Sequence, residues 1–130
     1  MSTSRTGVFD PIDLKLQPLR ITAGWKVVYN NGFYEIDTAP TLVPEEDRWW
    51  VFKVDMLQLS HPDRNRLIDL GFSPEGDLIN GQYGLEVYEG DFTGRLLHEF
   101  RTQIRMEVVT EIERLVKAVT DGIIEGGVSV

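Results

Sequence analysis

Apolar and polar residues change places along this chain with two different periods. Between Trp25 and Arg101 the spacing is close to two, the repeat of a strand with one dry and one wet face. Trp25–Asn30 and Phe33–Asp37 flank Asn30-Asn31-Gly32, whose residues tolerate the backbone of a tight turn, so the pattern predicts a hairpin. Arg48–Leu59, opened by the adjacent Trp49 and Trp50, reads as a long strand with room for a bulge. Arg66–Phe72 alternates Leu67, Asp69 and Gly71 against Ile68, Leu70 and Phe72, and Gln82–Glu89 places Tyr83, Leu85 and Val87 opposite Glu86 and Tyr88. Leu96–Arg101 completes the series. Before it, Ile12, Leu14 and Leu16 suggest a short extended segment, and Gly71 suggests close packing or a bulge.

From Gln103 the period lengthens. Ile104, Val108, Ile112, Leu115 and Val119, with Val109 and Val116 beside them, form one stripe of an amphipathic helix to Val119. Arg105, Glu111, Arg114 and Lys117 are expected on its outer side. Thr102 is the expected N-cap and Asp121-Gly122 the stop. Strands followed by one helix predict an α+β fold: an antiparallel meander of five to seven strands with the C-terminal helix packed on one face. Residues 8–120 form the expected domain, with a disordered segment at 1–7 and a tail at 121–130. Such a sheet leaves its second face open to solvent. Since neighbouring strand residues point opposite ways, Trp49 and Trp50 are expected to diverge, one toward the helix and one onto the uncovered face.

Composition narrows the classes. With 130 residues the chain is large enough for one core. It has no cysteine, which excludes disulfides and thiolate chemistry and suits a reducing compartment. Nothing approaches the roughly 18 consecutive apolar residues of a membrane span, and no secretory leader is evident, so a cytoplasmic location is the expectation. Net charge is −8, with acid spread over everything beyond a slightly basic first 24 residues. No basic stripe exists for phosphate contacts, which argues against nucleic-acid binding; the spread of acid fits either a charge that maintains solubility or attraction to a basic protein partner.

Motifs for catalysis are missing. His61 and His98 read as turn and surface histidines, and neither belongs to a metal-ligand spacing, so no cofactor or metal is expected. The carboxylate pairs Glu35/Asp37, Glu45/Glu46/Asp47 and Glu86/Glu89/Asp91 fit wet strand faces and loops better than acid–base catalysis. Asp77–Gly81 reads as a turn and not as a calcium loop, because Leu78 and Ile79 occupy its middle. The aromatics offer more. Tyrosine and tryptophan bury much area with few torsions and dominate interface hot spots. Trp49, Trp50, Tyr34 and Tyr88 are therefore the candidate partner-binding residues, with Glu45, Glu46 and Asp47 steering association.

Over residues 24–119 the layout resembles the small acidic bacterial immunity-type proteins of polymorphic toxin systems. The resemblance rests on Gly24-Trp25 leading to Asn30–Asp37, then Asp55–Leu59, Asp69–Phe72 and the terminal amphipathic helix. It implies a non-enzymatic single domain that binds and neutralises a basic toxin or nuclease domain. Such proteins share a role and not one fold, so it transfers no binding residue. Two other readings stand beside it: a self-associating assembly protein, dimeric through an exposed sheet face or edge, and more distantly a carboxylate-dependent hydrolase.

Overall fold

The computed structural model describes residues 14–123, and the expectations for residues 1–7, for the domain's start over 8–13 including Ile12, and for 124–130 within the tail lie outside the described residues. Five strands form one sheet in sequence order: β1 (Lys26–Asn30), β2 (Leu57–His61), β3 (Arg66–Ser73), β4 (Gln82–Glu89) and β5 (Leu96–Thr102). Every neighbouring pair is antiparallel. A four-residue helix, α1 (Arg48–Val51), precedes β2, and the long helix α2 (Arg105–Thr120) closes the described chain. The fold is the expected α+β meander with its C-terminal helix.

Alternation selects the buried face. Leu57 and Leu59 of β2, Ile68, Leu70 and Phe72 of β3, and Tyr83, Leu85 and Val87 of β4 all enter the core. Helix α2 answers with Val108, Val109, Ile112, Leu115, Val116 and Val119. Burying each such side chain contributes about 1.5–3 kcal/mol, so this contact dominates the packing. At one end the core is aromatic: Phe72 lies 5.2 Å from both Phe52 and Tyr83, and Phe33 lies 5.9 Å from Tyr83. The segment before β1 straps the helix. Arg20 donates its N–H to Glu113 (2.8 Å), Trp25 Nε1 donates to Thr120 (3.1 Å), and Leu14 and Leu19 pack on the core.

Two expected elements are replaced. The Phe33–Asp37 return strand does not form. The Asn30 side-chain oxygen accepts from Gly32 N (3.3 Å) and Phe33 N (3.2 Å), which turns the chain inward and seats Phe33 in the core. Tyr34 then bridges Leu16, while β1 pairs with β2 through a bulge between Val27 and Tyr29. The expected tryptophan strand begins as α1 after a short 3₁₀ turn at Glu45–Asp47. Arg48 fixes this corner by donating to the carbonyls of Val43 (3.0 Å) and Pro40 (2.9 Å). Extended pairing starts only at Leu57.

The helix departs from its expected stripe at the first turn, since Ile104 is 55% exposed and precedes α2. Thr102 sits two positions before the N-cap Ile104 but still ties down this end, accepting from Ile104 N (3.0 Å) and donating to Glu107. Arg105 and Glu111 are drawn inward by partners: Arg105 meets Asp37 (2.9 Å), and Glu111 meets His98 (2.8 Å). The surface reading of the histidines is corrected for the same reason. His98 is 8% exposed at its side chain, and buried His61 stacks edge-on against Trp25 while its Nδ1 accepts from Arg64 N (3.3 Å). Asp121 and Gly122, at φ +78°, stop the helix as expected.

Gly71 meets its expectation. A Cβ there would run into the Val54 carbonyl oxygen, because the chain before β2 crosses close to β3 at this point. Two substitutions test the packing by urea unfolding. Ile112→Ala should cost about 2–5 kcal/mol, as for a fully buried aliphatic, whereas Ile104→Ala should stay within about 0.5 kcal/mol. Equal losses would mean that the helix is turned differently on the sheet.

Candidate functional site

No described helix or strand packs on the second face of the sheet, and there the strand register aligns side chains into rows. Ser60 of β2, Leu67 of β3, Tyr88 of β4 and Leu96 of β5 are successive partners. The next row crosses all five strands: Tyr29, Gln58, Asp69, Glu86 and Glu99. A third holds Gly71, Gly84 and Arg101. Three carboxylates thus stand directly opposite one another on three adjacent strands, an arrangement that destabilises a sheet.

Neighbours partly offset the repulsion. Asp69 accepts from the Tyr29 hydroxyl (3.3 Å) and from Gln58 Nε2 (3.1 Å). Glu86 accepts from the Tyr88 hydroxyl (2.6 Å). Arg101 lies across Gly84, where a Cβ would collide with its guanidinium, and reaches both Glu86 and Glu99. Asp69 is nevertheless held above the usual carboxylate range, chiefly by its burial and secondarily by the charges of Glu86 and Asp55, against the opposing pull of its two hydrogen bonds. Burial and the Asp69 charge push Tyr29 up to about 12. The hydrogen bond to Glu86, followed by burial, does the same for Tyr88. Both tyrosines therefore remain neutral phenols that donate to carboxylates. Leu67, 4% exposed, is buried on this side of the sheet and stands outside the inner core.

The structure gathers most of the sequence-predicted residues elsewhere. Glu45, Glu46, Asp47, Trp49 and Trp50 share the turn and helix of one corner. Tyr34 joins them edge-on to Trp50, with ring centroids 6.2 Å apart. Trp49 is 63% exposed; Trp50 is half-buried and donates from Nε1 to Asp47 (3.1 Å). One ring is exposed and the other packs on the core, but both belong to a helix and not to a strand, so the expected placement of the outer ring on the uncovered sheet face is overturned. Asp47 is itself buried, so of the expected acidic trio only Glu45 and Glu46 present charge to solvent. Tyr88 stands apart, on the acidic face.

Sequence reasoning missed Asp69, Gln58, Glu99 and Arg101 as site residues. The alternation in β3 and β4 already placed Asp69 and Glu86 on the wet face, but their direct opposition needs the pairing register. The carboxylate pair Glu35/Asp37 is not a strand pair, and Asp37 is occupied by Arg105. Asp77 caps its own turn by accepting from Ile79 N (3.1 Å) and Asn80 N (2.9 Å). Among the described residues no group of three or more His, Asp or Glu side chains is arranged to hold a metal ion, and no helix is long and apolar enough to cross a membrane. A groove of about 400 Å³ lies beside β5, lined by Phe100, Met106, Glu107, Thr110 and Glu111. No family model, curated protein or solved structure matches this chain.

The raised Asp69 fixes the sign of a pH effect. Its proton is bound more tightly in the folded than in the unfolded chain, so its contribution to stability is complete below the ordinary value of 3.8 and is lost as pH rises through the folded value. Asp69→Asn should therefore raise the melting temperature at pH 7 by about 1–4 °C, the scale of one cross-strand charge contact. The gain should vanish as pH approaches 3.8. A melting temperature lowered at pH 7 would show that the carboxylate is a net stabiliser.

Proposed function

We propose that this protein is a non-enzymatic protein-binding module whose acidic sheet face receives a basic partner, most concretely an immunity-type inhibitor that neutralises a basic toxin or nuclease domain. The observation that carries the reading is the row Asp69–Glu86–Glu99, held opposite one another on a face that no described element covers. A fold under no other constraint gains by replacing one of them, because opposed like charges work against the sheet. A cationic partner turns the same row into an attraction, and its lysines or arginines find acceptors already fixed by backbone pairing. Tyr29 and Tyr88 add apolar area among the acids. Exposed Trp49, with Glu45 and Glu46 beside it, supplies a second contact patch of the kind that anchors interfaces. A cytoplasmic setting suits a cysteine-free chain.

The test is co-expression with toxin-like domains encoded beside its reading frame, scored by growth and by affinity between purified proteins. Wild type should rescue growth and bind with an association rate that falls steeply with salt. Glu86→Lys should slow association about tenfold or more, and Trp49→Ala should speed dissociation. Binding that both variants leave unchanged would remove the acidic face and the tryptophan corner from the mechanism. Turnover of a substrate in a broad hydrolase screen would overturn the non-enzymatic reading itself.

A further inference from the structure

The strand order leaves β1 and β5 at the two edges of the sheet, each with one side that no described strand pairs. An edge invites another strand unless something interrupts it. β1 is interrupted in its middle, where the register shifts between Val27 and Tyr29. β5 has its irregularity at the start: Val87 pairs with His98 and Tyr88 with Leu96, which leaves His98–Thr102 as a regular run. Beside that run, Phe100 is only half-buried and Met106 is 50% exposed, and both line the groove between β5 and α2. The β5 edge thus combines open backbone with an apolar shelf.

We propose that the occupant of this edge is a second copy of the same chain, paired antiparallel through β5 about a two-fold axis at Phe100. A two-fold pairing must place residues of the same face opposite each other, which limits the registers. Centring on Glu99 sets Glu99 against Glu99, a like-charge contact. Centring on His98 sets His98 against itself and gives Glu99 no cation. Centring on Phe100 sets Glu99 of each copy against Arg101 of the other, His98 against Thr102, and Phe100 against Phe100. Only this register matches every charge with its opposite and confines the pairing to the regular run. Arg101, already between its own Glu86 and Glu99, gains a third carboxylate there. On the helix side the Phe100 rings meet, and Met106 covers the junction from α2. The two-fold axis stands perpendicular to the sheet, so both acidic faces end on the same side of a continuous ten-stranded sheet. The inference stands without the proposed partner: the pairing uses the edge and engages Glu99 at the end of the acidic row, while Asp69 and Glu86 lie on inner strands away from it.

Sedimentation of the purified full chain, with a charge swap, decides it. Wild type should be a dimer at micromolar concentration. Glu99→Arg alone and Arg101→Glu alone should each put like charges across the axis and weaken association at least tenfold. The double variant Glu99→Arg/Arg101→Glu should restore the dimer. Met106→Asp, on an exposed position, should also dissociate it while leaving the circular dichroism spectrum unchanged. A wild type that stays monomeric up to 100-fold above that concentration would overturn the proposal. So would a dimer that ignores both single substitutions, or one that the double swap fails to restore.

Discussion

Burial of one sheet face beneath α2 is the constraint from which the rest of the molecule follows. Val108, Ile112, Leu115 and Val119 are fully buried against strand residues that recur every second position. A slip of one residue in β3 or β4 would send Asp69 or Glu86 under the helix and Leu70 or Leu85 into solvent. Burial of an unpaired carboxylate is costly enough to forbid that. The hydrophobic contact therefore specifies the register, and the register then lines up Asp69, Glu86 and Glu99 on the far side. The acidic row is a geometric consequence of how the core is locked, although the residue types in it are not.

Those types are the informative choice. Other wet-face positions of the same sheet hold Gln58, Ser60 and two glycines, which shows that the face does not need carboxylates to form. Gly71 and Gly84 are opposite one another, and each makes room for something that reaches over the sheet. The Val54 carbonyl lies over the first and the Arg101 guanidinium over the second. Arg101 can lie flat between Glu86 and Glu99 because Gly84 has no side chain. The face is thus partly compensated within the chain: three acids, one bridging guanidinium and two phenols that donate but do not neutralise. Stability alone would favour fewer acids at these positions.

Much of this arrangement was legible in the sequence wherever a period ran long enough to be recognised. The strands β3, β4 and β5 and the helix α2 all carry their repeat over seven or more residues, and they lie within a residue or two of the expected bounds. The misread parts are short and settled by single side chains. Asn30 turns the chain through its own side-chain oxygen, and that interaction competes with the hairpin that Asn-Asn-Gly otherwise signals. Arg48 binds two loop carbonyls and holds four residues in a helix too brief to show a period. The divergence of Trp49 and Trp50 survived this change because successive residues on a helix also point apart, by about 100°. The register between strands was not legible, and the opposed carboxylates depend on it.

The two tryptophans and the acidic row then differ in how the fold supports them. Trp50 is tied to Asp47 and Tyr34, so its ring is part of the framework that presents Trp49. Trp49 itself contributes little to the interior, being mostly exposed, and its backbone is braced where Gly76 allows close approach. An exposed ring on a braced backbone loses little freedom when it is covered, which favours its use in contact. Asp69 shows the opposite balance. It sits half-withdrawn from water, fixed by Gln58 and Tyr29, and a cation reaching it meets a carboxylate already oriented and partly desolvated. Much of the cost of binding charge is thus met in the folded chain before any partner arrives.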